Sequence, residues 1–201
     1  MPSSGTLENM ANPEHLAKLR DGTEVWNRWR REHPAEQPWL DLANLHGKNL
    51  GGADLRSARL VGADLQEANL SGANLFQADL IEADLREAYL TGADLREANF
   101  ALANLGGADL GGANLSETLL LRTNFSGANL CGADVTSAIL LETVFSDTDL
   151  TDMIGLDSCG HRGPSTIDFR TLAKSWPLPL SFLRGCGLPD TLNRNSTFRR
   201  Y

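Results

Sequence analysis

Residues 50–75 read LGGADLRSARLVGADLQEANLSGANL, and one five-residue pattern runs through the whole stretch. A leucine stands at every fifth position, an alanine lies two residues before it, and Asp, Asn or Arg lies between them. Outward from this stretch, the apolar position is Leu, Phe or Val without exception from Leu40 to Leu150. Lys48 is the one clear misfit at the small position, where threonine also replaces alanine four times. The chain is therefore built on an internal repeat of five residues.

A period of five fits neither regular secondary structure, because an α-helix repeats every 3.6 residues and a β-strand every 2. In a helix these leucines would be spread around the whole circumference, and each interior glycine would cost about 1 kcal/mol. The pattern instead requires a chain that turns at fixed intervals and points one large and one small side chain inward each time. We expect stacked coils about 4.8 Å apart, joined by backbone hydrogen bonds from coil to coil.

A second period, of twenty residues, sets the number of pentapeptides in one coil. In every fourth pentapeptide the residue after the apolar centre is itself apolar, and in another set the residue two after the centre is glycine. Four pentapeptides per coil make a four-sided tube, and residues 38–152 provide about six coils. The glycines predict an edge where the backbone adopts unusual dihedral angles. The two columns are Val61, Ile81, Ala101, Leu121 and Leu141, and Gly52, Gly72, Gly92, Gly112 and Gly132.

The motif of Ala, then Asp or Asn, then Leu and two further residues closely resembles the pentapeptide-repeat family, and it covers more than half of the chain. The resemblance implies an all-β solenoid, a right-handed quadrilateral β-helix with the central Leu or Phe and the preceding Ala inside. The handedness is what the resemblance implies and does not follow from the spacing.

A solenoid must cover its open ends, because unpaired edge groups and core side chains would otherwise meet water. We expect residues 1–37 to form an N-terminal helical cap, with Asn12 as the helix cap before a first-turn proline. Two interpretations stand for its apolar residues: a lid over the first coil, or a partner-binding pair of tryptophans. The residues are Leu16, Leu19, Val25, Trp26 and Trp29.

The five-residue period ends at Asp152, and residues 153–201 predict a C-terminal helical cap and tail. We expect one short helix after Ser165 or Thr166 and a second after Pro177 and Pro179. The segment could cap the last coil, lie along the apolar column of Leu121 and Leu141, or mediate a dimer. The basic end, with Arg194, Arg199 and Arg200, is expected to fray.

Carboxylates are concentrated on the predicted tube, where residues 40–152 contain 17 acidic and 6 basic residues. If the residue before each centre faces outward, its carboxylates form regular columns. Two columns stand out, namely Asp54, Asp94 and Asp134 with Glu97 and Glu117, and Asp64 and Asp84 with Glu67 and Glu87. Arg56, Arg86 and Arg96 lie among them and predict partial neutralisation. The columns favour either a solvated surface that keeps the protein soluble or a DNA mimic that competes for a DNA-binding groove. The candidate acidic binding face comprises Asp54, Asp64, Asp84, Asp94, Glu97, Glu117 and Asp134.

Some pentapeptide-repeat proteins, including quinolone-resistance proteins, resemble DNA and bind DNA gyrase or topoisomerase IV, so the resemblance implies a topoisomerase as one candidate partner. Those members usually dimerise through a C-terminal helix and often carry loops that interrupt the repeat. Here residues 40–150 contain no interruption, which argues against topoisomerase protection. Residues 10–34 and 155–190 resemble the flanks of bacterial pentapeptide-repeat proteins that can continue into a TIR signalling domain. No TIR sequence follows here, and the resemblance implies a free-standing relative that keeps the recognition or scaffold portion.

A set of apolar residues falls at outward positions and is denser toward the C-terminal end of the tube. An exposed apolar patch usually marks an interface or a covered surface. A dimer seam and an intramolecular cover by residues 153–190 both fit this candidate apolar interface. Its residues are Val61, Ile81, Leu102, Leu119, Leu121, Ile139 and Leu141.

The composition argues against several classes of function. A net charge of −8 and a pI near 5.0 argue against direct nucleic-acid or anionic-membrane binding. No apolar run approaches the roughly 20 residues of a membrane span, and the start has no apolar region of a secretory signal. Three scattered cysteines fit a reducing cytoplasm. We therefore expect a cytoplasmic protein.

Catalytic chemistry has no support in the sequence. Cys159 and His161 could supply two metal ligands, but no companion pair has zinc-site spacing. The Gly-Gly pairs lack the lysine and the strand–helix context of a phosphate loop, and a filled convex tube offers no cleft for general acid–base work. We expect no enzyme activity, no cofactor and no metal. The predicted function is a non-catalytic protein-binding module that acts through its acidic surface. The alternative is a scaffold or sensor module of a bacterial signalling assembly that acts through its apolar face and caps.

Overall fold

In the computed structural model, which describes residues 10–189, the repeat forms a tube of stacked four-sided coils. Residues twenty apart are parallel neighbours, for example Asp54 with Asn74 and Asn74 with Asp94. The N–H of Leu55 donates to the carbonyl oxygen of Asn74 at 2.7 Å, and equivalent bonds join the coils on every side. One coil therefore contains twenty residues, as the second sequence period predicts. Each residue that lies one place before an apolar centre is called a rung, and so is the residue that pairs with it in the last coil.

The interior of the tube is filled by side chains five residues apart. Leu55, Leu75 and Leu95 are fully buried, and the alanine two residues before each of them is buried as well. The rung between them points outward, because successive side chains of an extended segment alternate in direction. The predicted inward direction of the large and small positions is confirmed.

Threonine at the small position keeps this inward direction, because its hydroxyl finds a backbone partner inside the tube. The hydroxyl of Thr118 donates to the carbonyl oxygen of Leu115 at 2.6 Å, and that of Thr148 donates to Phe125 at 2.8 Å. A buried hydroxyl needs such a partner to offset its lost hydration. Lys48, the misfit at this position, is exposed.

Every corner of the tube is a tight turn with one left-handed residue. The residue two places after each centre has a φ between 50° and 73°, from Leu42 through to Asp152. The next N–H donates back to the centre, as from Ala53 to Leu50 at 3.0 Å, which is the pattern of a type II β-turn. The unusual dihedral angles predicted for the glycine column are confirmed. They are not confined to that edge, because all four corners make the same turn.

Few residues form continuous strands, because the corners lie so close together. Only three residues are extended between two corners, so most rungs are single parallel bridges. The predicted all-β solenoid is thus built mainly from turns and bridges, with helices at both ends. The elements are α1 (Pro13–Arg20), α2 (Thr23–Glu32), β1 (Leu119–Leu121), β2 (Ile139–Leu141), β3 (Val144–Phe145), β4 (Gly160–His161), β5 (Thr166–Ile167), α3 (Phe169–Ser175) and α4 (Leu180–Gly185).

Helices α1 and α2 close the first coil. The side chain of Asn12 accepts N–H groups of the first turn of α1, so the predicted helix cap is confirmed. Trp26 is fully buried, and its Nε1–H donates to the carbonyl oxygen of Asp54 at 2.8 Å. Trp29 is buried beside it, with the two ring centroids 4.9 Å apart. Both tryptophans are used inside the molecule as a lid, so they are not an exposed partner-binding pair, whereas Val25 is exposed.

The coil continues beyond Asp152, where the sequence period ends. Strand β4 pairs in parallel with β2, in a sheet of order β1–β2–β4, and β5 pairs in parallel with β3. Ile139 lies beside Gly160, and Val144 lies beside Thr166. These partners are one and two residues further along the chain than a full coil of twenty. Because of these extra residues, the last rungs do not follow the period of twenty in the sequence.

Helices α3 and α4 cover the last coil. Helix α3 begins later than predicted, because Thr166 and Ile167 first pair as β5, and Asp168 then caps the helix. Phe182 of α4 is fully buried and meets Phe145 of the last coil at a ring-centroid distance of 5.8 Å. The segment up to residue 189 is an end cap and does not lie along the apolar column. The predicted basic tail lies outside the described residues.

Candidate functional site

The four sides of the tube are named here by their apolar centres. Face A has the centres 40, 60, 80, 100, 120 and 140, and the chain then passes to face B (45–145), face C (50–150) and face D (55–135). Face A is therefore opposite face C, and face B is opposite face D.

The predicted acidic residues do not share one side of the tube. The rungs of face B include Asp64 and Asp84, whereas three rungs of face D carry the other aspartates. A flat partner can contact only one of these two groups. The two columns predicted from the sequence therefore lie on opposite sides of the tube and do not form one acidic binding face. The second group consists of Asp54, Asp94 and Asp134, with Glu97 and Glu117 at the corner between faces D and A.

The aspartates of the rungs have a structural role in the turns. The Oδ1 of Asp134 accepts the N–H of Thr136 at 2.8 Å, and that of Asp64 accepts the N–H of Gln66 at 3.2 Å. Asparagine does the same at Asn114, which accepts from Ser116 at 3.0 Å. Such a side-chain bond to the backbone two residues on is an Asx-turn. The free exchange of Asp and Asn at this position in the sequence is the signal that could have indicated this role.

Three of the aspartates are paired with an arginine two residues later. The guanidinium of Arg86 donates three hydrogen bonds to Asp84, and that of Arg96 donates two to Asp94, with shortest distances of 2.7 Å and 2.8 Å. These side-chain bonds hold the pKa of both carboxyls below the usual range, against the opposing effect of partial burial. The predicted partial neutralisation is therefore confirmed at these positions.

Asp54 is the third neutralised aspartate and the least accessible. Burial raises its pKa, but hydrogen bonds from Arg56 and the charge of Arg30 outweigh burial and lower the pKa overall. Its backbone N–H and C=O are bound by Asn27 and Trp26 of α2. Asp54 thus belongs to the contact between the N-terminal cap and the tube.

Within residues 10–189, the remaining acidic candidates form no ion pair with an arginine, although the charge of Arg86 acts on Asp64 and that of Arg96 acts on Glu97 and Glu117. Glu97 accepts a hydrogen bond from Gln77 at 2.8 Å, and Asp64 lies 3.9 Å from His46. Glu97 and Glu117 are successive residues of one corner column, and Asp134 is a rung of the adjoining face D. In the part of the chain that the structure describes, these three carboxylates form the portion of the predicted acidic surface without a direct ion pair.

The predicted apolar residues all lie on face A or its corner with face B. Leu102 is 49% exposed at that corner, and the others are partly exposed. Helices α3 and α4 lie at the end of the tube, where Gly160 lies beside Ile139 and Gly163 lies against the side chain of Leu141. For the described part of residues 153–190, the predicted cover is therefore limited to this end of the patch. Trp39 and Leu42 extend the apolar face toward the N-terminal end, and sequence reasoning missed them because they lie in the first, atypical coil.

Charged groups on face A are few and mostly paired. Arg59 donates to the buried carboxylate of Asp41 at 2.7 Å and lies 4.9 Å over the ring of Trp39. Arg122 pairs with Glu142 at 2.8 Å, at the corner with face B. A recess of about 160 Å³ at the N-terminal end of the face is lined by Asp41, Leu42, Arg59 and Val61.

The Cys159–His161 segment lies under the C-terminal cap. Burial raises the pKa of the Cys159 thiol to about 12, and its Sγ lies 3.4 Å from the carbonyl oxygen of Val135. His161 meets the ring of Phe182 edge-on at 5.7 Å. Across residues 10–189, no three His, Cys, Asp or Glu side chains are grouped so that they could hold a metal ion. In the same part of the chain, no helix is both long and apolar enough to cross a membrane.

Comparison with known proteins identifies one family. The family model for pentapeptide repeats (eight copies) matches residues 40–72, 73–112 and 98–136. No curated protein sequence matches the chain.

Several solved structures are similar to it. A pentapeptide repeat protein from the thylakoid lumen of Arabidopsis thaliana is 38% identical with a TM-score of 0.41; the match covers 47% of this chain and 66% of that one, just under two thirds. Rfr23 from the cyanobacterium Cyanothece 51142 is 26% identical with a TM-score of 0.37, over 68% of this chain and 95% of that one. QnrB1, a plasmid-mediated fluoroquinolone resistance protein, is 17% identical with a TM-score of 0.35, over 68% of this chain and 80% of that one.

Proposed function

The chain belongs to the pentapeptide-repeat family, and from this premise we propose that it is a non-catalytic protein-binding module whose binding surface is face A. The interior supports the non-catalytic part of the proposal, because leucines and alanines fill the tube. A substrate pocket needs a cleft of about 300–1,000 Å³ with a few free polar groups. The recess on face A is smaller, and its two charged residues are bound to each other.

One observation carries the proposal: the residue directly after the centre differs between the four faces. On face A this position is apolar in five successive coils, from Val61 to Leu141. On the other faces it is mostly polar or glycine, and the one large apolar exception, Phe76, lies under the guanidinium of Arg96. The polar faces carry His46, Gln66, Arg86, Gly106, Ser126 and Ser146 (face B), Gly51, Ser71, Thr91, Gly111, Cys131 and Thr151 (face C), and Arg56, Arg96, Ser116 and Thr136 (face D).

The fold does not require these aliphatic residues. Faces B, C and D make the same turns and the same parallel bridges with polar side chains at this position. Leaving apolar area in water costs about 25 cal/mol per Å², so a row of aliphatic residues on one side opposes solubility. Burial of that row against another protein accounts for its presence on a single face.

Site-specific photocrosslinking in cells that express the protein tests this proposal. We place p-benzoylphenylalanine at Leu121 on face A and, as the matched control, at Thr91, which occupies the same position on face C. We expect crosslinks to a polypeptide, a second copy included, from Leu121 and not from Thr91. Equal crosslinking from both positions, or none from either, would contradict the proposal.

A second candidate is DNA mimicry toward a DNA-binding protein such as a topoisomerase. The unpaired carboxylates of Glu97, Glu117 and Asp134, together with the acidic excess of the tube, support it. It ranks below the first candidate, because arginines neutralise three of the predicted aspartates and the acidic groups face opposite directions.

We also infer that the coil is right-handed, since parallel connections of this kind are right-handed in nearly all proteins. Cys131, Cys159 and Cys186 are all free thiols. Free thiols support a reducing compartment, and we propose the cytoplasm.

A further inference from the structure

We propose that the partner of face A is a second copy of this chain, packed antiparallel with its two-fold axis at the middle rung of the face. This inference rests on the proposed function of face A as a binding surface and names its occupant. It is carried by the order of large, small and charged residues along the face.

Within the described residues, face A has seven rungs. The middle rung is Asn99, so the antiparallel pairing with the largest overlap places the axis there. Each rung then faces the rung of the second copy that lies at the same distance on the other side of the axis, counted along its own chain, and Asn99 faces Asn99. The rungs are Trp39, Arg59, Asp79, Asn99, Leu119, Ile139 and Gly160.

This register brings apolar residues together in the column directly after the centres. A two-fold axis that lies in the interface, perpendicular to the tube, turns each column onto itself in reverse order. Ile81 then faces Leu121 of the second copy, Val61 faces Leu141, and Ala101 faces Ala101. All members of the column are partly exposed in the single chain, so they have apolar area left to bury.

The same register pairs opposite charges at the corner between faces A and B. The column there contains Glu82, Leu102 and Arg122 in successive coils. Glu82 of each copy therefore faces Arg122 of the other, on both sides of a central pair of Leu102 residues. Arg122 already binds Glu142 in its own chain, so the contact joins three charges of alternating sign. Complementary charges of this kind select register more than they add affinity.

Large residues at one end of face A meet glycine at the other. Trp39 and Leu42 lie at the N-terminal end and are exposed. In the antiparallel register Trp39 faces Gly160 of the second copy. Leu42 faces Gly163, where the side chain of Leu141 already fills the space beside the glycine. Both orientations set Arg59 and Asp79 opposite aliphatic residues, so these two charges do not select between them. The pairing of Glu82 with Arg122 and of Trp39 with Gly160 arises only in the antiparallel arrangement and favours it.

The contact is small enough that we expect a weak dimer. Seven rungs at the strand spacing span about 29 Å, and a side roughly 15 Å wide gives on the order of 450 Å² per copy. The total of about 900 Å² is below the roughly 1,200 Å² of stable specific interfaces and in the range of weak, transient ones. The charged rungs Arg59 and Asp79 would face Ile139 and Leu119, which weakens the contact further. A dissociation constant in the micromolar range is expected, with monomers at high dilution.

Sedimentation velocity over a series of concentrations tests the dimer. We expect the wild-type chain to pass from monomer to dimer, and Leu121→Glu to remain a monomer. Thr91→Glu, the same change at the same position of face C, should dimerise like the wild type. Glu82→Arg and Arg122→Glu should each weaken the dimer roughly tenfold by opposing like charges, and the double exchange should restore it. A wild-type chain that stays monomeric to the highest soluble concentration would overturn the inference.

The register has its own test. In a Cys131→Ser background, Leu102→Cys places two thiols across the axis, and mild oxidation should join the two copies covalently. The same change at Thr91 should give no covalent dimer. A dimer that ignores the charge exchange and forms no disulfide at residue 102 would refute the antiparallel register. Crosslinks from Leu121 to other polypeptides only, with no dimer, would refute the inference that the partner is a second copy, but they would leave the proposed binding function of face A intact. No crosslink at all from Leu121 would refute both the inference and the proposed function.

Discussion

Corner residues are the most demanding positions of this chain at the scale of single residues. Each corner needs a positive φ, yet more than half of the corners carry a side chain, among them Glu97 and Glu117. A residue with a Cβ pays about 1 kcal/mol for this conformation, whereas glycine adopts it freely. The glycine column relieves this strain along one edge, and Gly47, Gly62, Gly107 and Gly127 relieve it at single corners of other edges. The remaining corners keep side chains at that cost.

Gly112→Ala should lower the free energy of unfolding by about 1 kcal/mol, because alanine must adopt a φ of +63° there. An added Cβ would meet nothing within 4 Å, so the loss would report the backbone alone. Gly160→Ala is the matched control, since its φ is not positive and its Cβ would lie 3.9 Å from the nearest atom. Urea denaturation at low protein concentration measures both. Equal losses for the two variants would contradict the argument.

A leucine in the middle of the stack should be far more sensitive than one on the surface. Leu95→Ala removes a fully buried side chain between fixed coils, and we expect a loss of about 2–5 kcal/mol. Leu102→Ala is the same change at a half-exposed corner nearby and should cost well under half as much. Ala93→Leu should also be damaging, because the small position has no room. Thermal melts with Leu95→Ala near the wild type would show that the core is not filled as described.

At the scale of elements, the two caps are attached by different chemistry. Helix α2 docks through Trp26 and through Asn27, which bonds Gly52 and Asp54 of the tube. Helix α3 is tied mainly by polar side chains, since the hydroxyl of Thr171 donates to Phe145 and Asp168 accepts the N–H of Asp147. The C-terminal cap therefore depends on a carboxylate, and its attachment should respond to pH.

Acid should loosen the C-terminal cap through Asp168. Burial raises the pKa of this carboxyl, but the N–H groups of Asp147 and Thr171, the Thr171 hydroxyl and Arg170 outweigh burial and hold the pKa well below its ordinary 3.8. A carboxyl whose pKa is lower in the folded state than in the unfolded state stabilises the fold fully at pH values above its unfolded-state pKa. This stabilisation is lost as the pH falls from the unfolded-state pKa through the folded-state pKa. We expect Asp168→Asn, which can still cap the helix, to be less stable than the wild type at pH 7, with the difference shrinking below about pH 4.

Hydrogen exchange of α3 in both proteins, at neutral and acidic pH, measures this difference. Asp157→Asn is a suitable control, because that aspartate is exposed and, within residues 10–189, its side chain makes no hydrogen bond or ion pair with α3. A wild-type advantage that persists unchanged to pH 2 would show that the charge of Asp168 is not the cause.

At the scale of the whole molecule, the sequence predicts the tube because each side chain's direction follows from its place in two periods. Leu95 and Ala93 point inward for that reason alone. The period of twenty also places Asp54 and Asp64 half a coil apart, so the spacing alone predicts that they lie on opposite faces. Other features depend on contacts that no local pattern encodes. The docking of Trp26 on Asp54 and the displaced rung at Gly160 are set by packing between distant segments.

DNA mimicry is a claim about the field of the whole tube. Residues 40–152 carry a net charge of −11, which over roughly 27 Å of stack is about one charge per 2.5 Å, compared with one per 1.7 Å in duplex DNA. A field of this kind attracts basic grooves without a specific fit, and salt screens it. We therefore expect the protein to inhibit supercoiling by a bacterial DNA gyrase only weakly, less at raised salt, and to give no relief from a quinolone.

Two triple variants distinguish the field from a local patch in that assay. Glu97→Gln, Glu117→Gln and Asp134→Asn together neutralise the unpaired patch at faces D and A, whereas Glu67→Gln, Glu87→Gln and Asp149→Asn remove the same charge from faces B and C. If the effect comes from the net field, both variants should weaken it equally. If only the first variant abolishes it, and the wild-type effect survives raised salt and relieves the quinolone, a specific acidic site exists. DNA mimicry would then rank above the apolar face as the function of this chain.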